Sequence, residues 1–198
     1  VHAPKPPNSD ADKEMYVFDF VGMLGLPLVP AAEINPDAKA AFFAVHALRD
    51  SAFSDKLNKM LSAKKPVLIT DGLAKKLKGV NLEDENLTIL KIDGNPHNLL
   101  KLTRDELNSV RNKLLAPFGI RFDAPNKVAL YLIGDNYLFV ENFNDEPVDV
   151  SLEFSNVIKA QKTLVLPVNG SAGLSCTGTK LNLTKITPRT LIAVEYSL

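Results

Sequence analysis

The grammar of the chain changes near residue 120. Before it, apolar runs of strand length alternate with segments of helical period, and this alternation ends at Leu114-Leu115-Ala116-Pro117-Phe118-Gly119. After it come short strands and turns alone. Helix-and-strand alternation builds a parallel sheet with helical crossovers, whereas strands joined by tight turns build antiparallel sheets. Two domains are therefore expected in the 198 residues, each large enough to bury a core: a linker over 1–12, an α/β domain over 13–120 and an all-β domain over 125–198.

In the first part, Met15, Phe18, Val21 and Met23 recur at helical spacing, with Asp10 or Asp12 as candidate caps and Gly25 and Pro27 as a stop. Residues 27–33 and the almost wholly apolar run Ala40 to Leu48 read as strands, the second buried on both faces. Phe53, Leu57, Met60 and Leu61 line one face of a docking helix whose other face carries lysines. Lys65 to Gly72 reads as a strand and turn, Leu73 to Leu77 as a short basic helix, and Leu87 to Ile92 as a further strand. That order implies right-handed crossovers in a parallel sheet. Thr103 with Glu106 predicts a capping box for a helix through Leu107, Val110, Leu114 and Leu115.

In the second part, Lys127 to Ile133 and Tyr137 to Phe143 flank Gly134-Asp135-Asn136, a hairpin signal. Val148 to Phe154 alternates apolar and polar, as a strand with one wet face does. With runs at 163–168, 173–177, 180–184 and 191–196, about seven short strands are predicted, arranged as a small antiparallel sandwich.

Lys plus Arg equals Asp plus Glu, 23 each, so the chain lacks the positive field that draws proteins onto nucleic acid or anionic lipid. No apolar stretch approaches the ~20 residues of a membrane span. The lone Cys176 makes no internal disulfide and reads as a small buried hydrophobe. The opening Val-His-Ala-Pro-Lys-Pro-Pro suggests a piece of a longer chain or a processed product.

Candidate chemistry is sparse. His2, His46 and His97 stand singly, so zinc spacing is absent, and no phosphate or dinucleotide loop occurs; no metal or cofactor is expected. In an open α/β sheet ligands sit beyond the carboxyl ends of the strands, where Glu33, His46 and Asp71 fall or come close. The plainer reading makes Asp71 a cap for Leu73 onward and His46 a packed histidine. Sugar platforms need flat exposed aromatics; with no Trp present, Tyr137 beside the hairpin turn is the residue to test. No catalytic residue is assigned.

Two resemblances add to this. The stretch Tyr137 to Val150, containing Asn142-Phe143-Asn144-Asp145-Glu146-Pro147-Val148, followed by Leu181-Asn182-Leu183 and Ile186 to Val194, resembles the small C-terminal β-sandwich of many glycoside hydrolases. Phe20 to Pro30, together with Leu57 to Gly72, resembles the glutamine-amidotransferase-like, flavodoxin-like domain that follows the barrel in some β-galactosidases. The amidotransferase nucleophile is a cysteine on a strand-to-helix elbow, and residues 1–120 contain none. The resemblance implies a flavodoxin-like parallel-sheet domain followed by a small antiparallel β-sandwich. It further implies a non-catalytic accessory region of a larger bacterial glycoside hydrolase, periplasmic or extracellular, with the catalytic barrel of the same polypeptide as its partner. Carbohydrate and a second copy of the chain are the further partners it leaves open. A stand-alone carbohydrate-binding or adhesion module is the alternative, and a hydrolytic enzyme working at Glu33, His46 and Asp71 is a third reading.

Overall fold

Five parallel strands in the order β2-β1-β3-β4-β5 form the sheet of the first unit: β1 (His2–Pro4), β2 (Val29–Ala31), β3 (Ala41–Phe43), β4 (Val67–Thr70) and β5 (Leu87–Leu90). This is the flavodoxin-like order, with its reversal between β1 and β3. The computed structural model describes all 198 residues. They group into two units, Val1–Phe20 with Leu28–Lys101, and Val21–Pro27 with Leu102–Leu198.

The expected linker over 1–12 contains a sheet strand. His2–Pro4 pairs with β2 on one side and β3 on the other, and Val1 and Ala3 are buried. Three residues with a proline at the end carry too little periodicity to be read as a strand. The predicted strand at 40–48 is also shorter: β3 stops at Phe43, and Val45–Arg49 is a turn of 3-10 helix. Apolarity alone does not separate a buried strand from a buried helical turn.

Helices follow the pattern more closely. α1 spans Val17–Met23, and α2 (Phe53–Ser62) buries Phe53, Leu57, Met60 and Leu61 against Ala41, Phe43, Val67 and Ile69 of the sheet. α3 is only Asp71–Ala74, and its cap is Thr70, whose hydroxyl accepts from the Leu73 N–H. Asp71, expected to cap this turn, instead accepts from the backbone of the turn after β5.

The second unit holds eight strands. The sheet β11-β12-β9-β6 comprises β6 (Ile120–Asp123), β9 (Val148–Phe154), β11 (Gly173–Thr177) and β12 (Lys180–Ile186). The sheet β10-β13-β8-β7 comprises β7 (Val128–Ile133), β8 (Tyr137–Asn142), β10 (Lys159–Leu166) and β13 (Thr190–Ser197). Phe122, Leu130, Leu138, Val140, Leu152, Leu181, Leu183, Ile192 and Val194 fill the core of this unit. The β7–β8 hairpin turns through Gly134 at φ 59°, as the Gly-Asp-Asn signal predicts.

The sandwich starts at β6, earlier than residue 125, because Ile120–Asp123 pairs with β9. α4 (Arg104–Leu115) also belongs to this unit. Its capping box is formed as predicted, and its Asn112 accepts from the Phe122 N–H of β6. A helix side chain thus satisfies a backbone donor of β6, the edge strand of its sheet.

Arg111 is wholly buried and ties segment 21–27 to the sandwich. Its guanidinium donates to the carbonyls of Leu24, Ala124 and Pro125 and to Asn108, and lies 5.1 Å from the centroid of the Phe122 ring. Burial pulls its pKa down to about 10, with the charge of Asp123 acting the other way. It stays charged at neutral pH.

Candidate functional site

At the carboxyl edge of the parallel sheet, the loop after β1 meets the segments that follow β3 and β4. Glu14 of that loop is 2% exposed, and its Oε2 accepts from the Val45 N–H at 2.8 Å. Its Oε1 lies against Gly72, where an added Cβ would fall 2.3 Å away. Gly72 is a glycine because a buried carboxylate rests on it. Oε1 makes no hydrogen bond. Burial pushes the Glu14 carboxyl above its ordinary range, opposed by the neighbouring Thr70 hydroxyl and the Val45 N–H. The loop itself is bent, with Asn8, Asp12 and Tyr16 at positive φ. Glu14 was not visible as a candidate, since only the fold shows that a loop glutamate lands at the sheet's reversal point.

Asp71 is 7% exposed and both of its oxygens are engaged. Oδ1 accepts from the Ile92 N–H at 2.9 Å and the Asp93 N–H at 3.3 Å, while Oδ2 takes Lys75 Nζ at 2.9 Å. Burial raises its pKa, but Lys75 and the two N–H groups outweigh that, so the carboxyl sits below its ordinary range. Asp71 is a strut between β4 and the turn after β5.

His46 is 3% exposed, packed edge-on against Phe18 with ring centroids 5.2 Å apart, and its Nδ1 has no protein partner. Burial is the main cause pulling its pKa down. Glu33 is exposed on the segment after β2, the edge strand. Of the three sequence candidates, His46 and Asp71 thus follow adjacent strands, β3 and β4, and Glu33 stands apart at the sheet's edge. No nucleophile is paired with a base here, and no group of three His, Cys, Asp or Glu is placed to hold a metal ion.

Tyr137 lies in the other unit, on a surface of different character. Sheet register puts the outward side chains of β10, β13, β8 and β7 into cross-strand rows. One row is Leu164, Ala193, Phe139 and Tyr131; the next is Lys162, Glu195, Tyr137 and Ile133; a third holds Leu166, Leu191 and Glu141. Tyr131, Ile133, Tyr137, Leu164 and Leu166 are 39–56% exposed. The Tyr131 hydroxyl donates to Glu141 at 3.1 Å, and burial together with that carboxylate pushes its pKa up to about 12.

The outer face of the opposite sheet is polar. Arg121, Glu153 and Lys180 lie in one row and Asp123, Ser151, Asn182 and Ser175 in the next, beside an open cleft of about 720 Å³. One sandwich therefore has a wet outer face and an apolar one. A large exposed apolar face is the informative departure, since outer sheet faces ordinarily alternate to polar. Tyr137 was legible as an exposed aromatic; its company on three neighbouring strands was not, because that depends on register.

The sequence matches no protein-family model and no curated protein. In structure the chain is similar to α-L-fucosidase isoenzyme 2 from Paenibacillus thiaminolyticus, at 10% identity and a TM-score of 0.52, over 100% of this chain and 48% of that one. An apo exo-carrageenase from Bacteroides ovatus matches at 13% identity and a TM-score of 0.36, over 91% of this chain and 26% of that one. The chain spans about half the length of the fucosidase structure, and the likeness at this identity is one of fold.

Proposed function

We propose that this chain is a non-catalytic accessory region of a larger glycoside hydrolase acting on polysaccharide or oligosaccharide. One observation carries the reading: at the sheet edge where an open α/β fold binds its ligand, Glu14 fills the reversal point and Asp71 holds the backbone of Ile92 and Asp93. The carboxylates that would do chemistry there are structural. The amidotransferase-like resemblance then describes a scaffold without the elbow cysteine. Its partner is a catalytic barrel of the same polypeptide, and its location is periplasmic or extracellular. Similarity of fold to a fucosidase supports the carbohydrate assignment.

The test is immunodetection of the native polypeptide in its source cells. A species heavier by at least roughly 27 kDa, the mass of a ~250-residue barrel, is expected. Hydrolysis of aryl glycosides by the 198-residue chain alone would overturn the reading.

The exposed aromatics favour a second reading, a carbohydrate-binding module. Tyr131, Tyr137 and Phe139 share one face, with Glu141 and Glu195 beside them to bond hydroxyls. Glycan titration of wild type and Tyr137→Ala tests it, since loss of a stacked ring should cost about 1 kcal/mol, some fivefold in affinity.

A further inference from the structure

We propose that the outer face of the β10-β13-β8-β7 sheet is a two-fold interface with a second copy of this chain. The five exposed large side chains, Tyr131, Ile133, Tyr137, Leu164 and Leu166, are continuous through half-buried Phe139, Leu191 and Ala193. At roughly 200 Å² of full surface per large side chain, the five expose on the order of 500 Å² between them. That is at the top of what a monomer leaves uncovered, and with the flanking residues it approaches the roughly 800 Å² per partner of a stable interface.

Register makes the face complementary to itself. Two sheets packed face to face about a two-fold axis running along the strands place β13 over β8 and β10 over β7. Ala193 then meets the partner's Phe139, small against large, and Leu164 meets the partner's Tyr131. Glu195 meets the partner's Tyr137, whose hydroxyl can donate to it. Each contact occurs twice by symmetry.

Charge does not oppose this pairing. Lys162 stands directly across from Glu195 in the same sheet, and Glu141 already accepts from Tyr131. The whole chain carries a formal net charge of +0 at pH 7, so two copies meet without long-range repulsion. The aliphatic share of the face, Ile133, Leu164, Leu166 and Leu191, fits a protein surface better than a sugar, which stacks on rings. The inference is independent of the glycoside hydrolase reading.

Sedimentation equilibrium of the 198-residue chain across the micromolar range tests it. A mass near twice 21.6 kDa is expected for wild type. Leu164→Lys and Ala193→Arg, both at outward positions, should raise the dissociation constant at least tenfold with an unchanged circular dichroism spectrum. Thr184→Lys, on the polar face of the opposite sheet, should remain dimeric. A wild-type chain that sediments as a single copy throughout overturns the proposal, whether or not it binds oligosaccharide through Tyr137. A dimer that survives Leu164→Lys and Ala193→Arg also overturns it.

Discussion

The Glu14 carboxylate accepts the Val45 N–H at 2.8 Å while its other oxygen rests against Gly72. One loop side chain thereby joins the segments that follow three neighbouring strands, β1, β3 and β4. Glu14→Ala leaves the buried Val45 donor without an acceptor and should lower unfolding free energy by about 1–3 kcal/mol. Gly72→Ala should cost about as much in wild type, because the pinned carboxylate has nowhere to go, and less in a Glu14→Ala background. Urea titration of the two single variants and the double variant checks that non-additivity.

The same carboxylate sets a pH dependence. Its folded pKa lies above the ordinary 4.5, so between 4.5 and that raised value the folded chain keeps a proton that the unfolded chain releases. The resulting stability is full below 4.5 and is lost as pH rises through the folded pKa. Glu14→Gln keeps an acceptor for Val45 and should flatten this part of the Tm-against-pH curve. An unchanged slope would show that another group titrates there.

Arg111 satisfies three backbone carbonyls from inside the second unit. Arg111→Met keeps much of the volume and strands those acceptors, so a loss of at least about 3 kcal/mol is expected in denaturant titration. Arg111→Lys should recover little, since one ammonium does not reproduce the planar fork.

Asn142 holds the turn after β8 together through its side-chain amide. Its Nδ2 donates to the carbonyls of Glu146, Ile186 and Thr187, and its Oδ1 accepts from the Asn144 N–H. Asn142→Asp changes almost no volume but faces those carbonyls with an acceptor. A loss of about 2–4 kcal/mol at neutral pH is expected by thermal or denaturant unfolding, larger than for most surface substitutions.

Tyr131 offers a spectroscopic readout of the apolar face. Its pKa of about 12 follows from burial first and the Glu141 charge second. Alkaline titration followed in the ultraviolet should show Tyr131 ionising late, beside the Tyr196 phenol that burial also raises, and Glu141→Gln should bring only Tyr131 down towards the ordinary 10.0.

The amino-acid sequence by itself determined the two kinds of sheet and their order along the chain. Continuous apolarity from Ala40 marks a strand buried on both faces, of which β3 keeps Ala41–Phe43, strict alternation in Val148–Phe154 marks one with a wet face, and Thr103 with Glu106 marks a helix start. These are local signals, written within a few residues by period and capping chemistry. Tertiary structure decided the rest. His2–Pro4 becomes a strand only because β2 and β3 accept it on either side, and α4 joins the sandwich because its Asn112 and Arg111 find partners there. Asp71 is a strut because β5 ends beside it. Tyr137 shares its face with Phe139 by alternation along β8, but Glu195 comes beside it, and Leu164 onto the same face, only through cross-strand register, which relates residues far apart in the chain and leaves no trace in any short stretch of it.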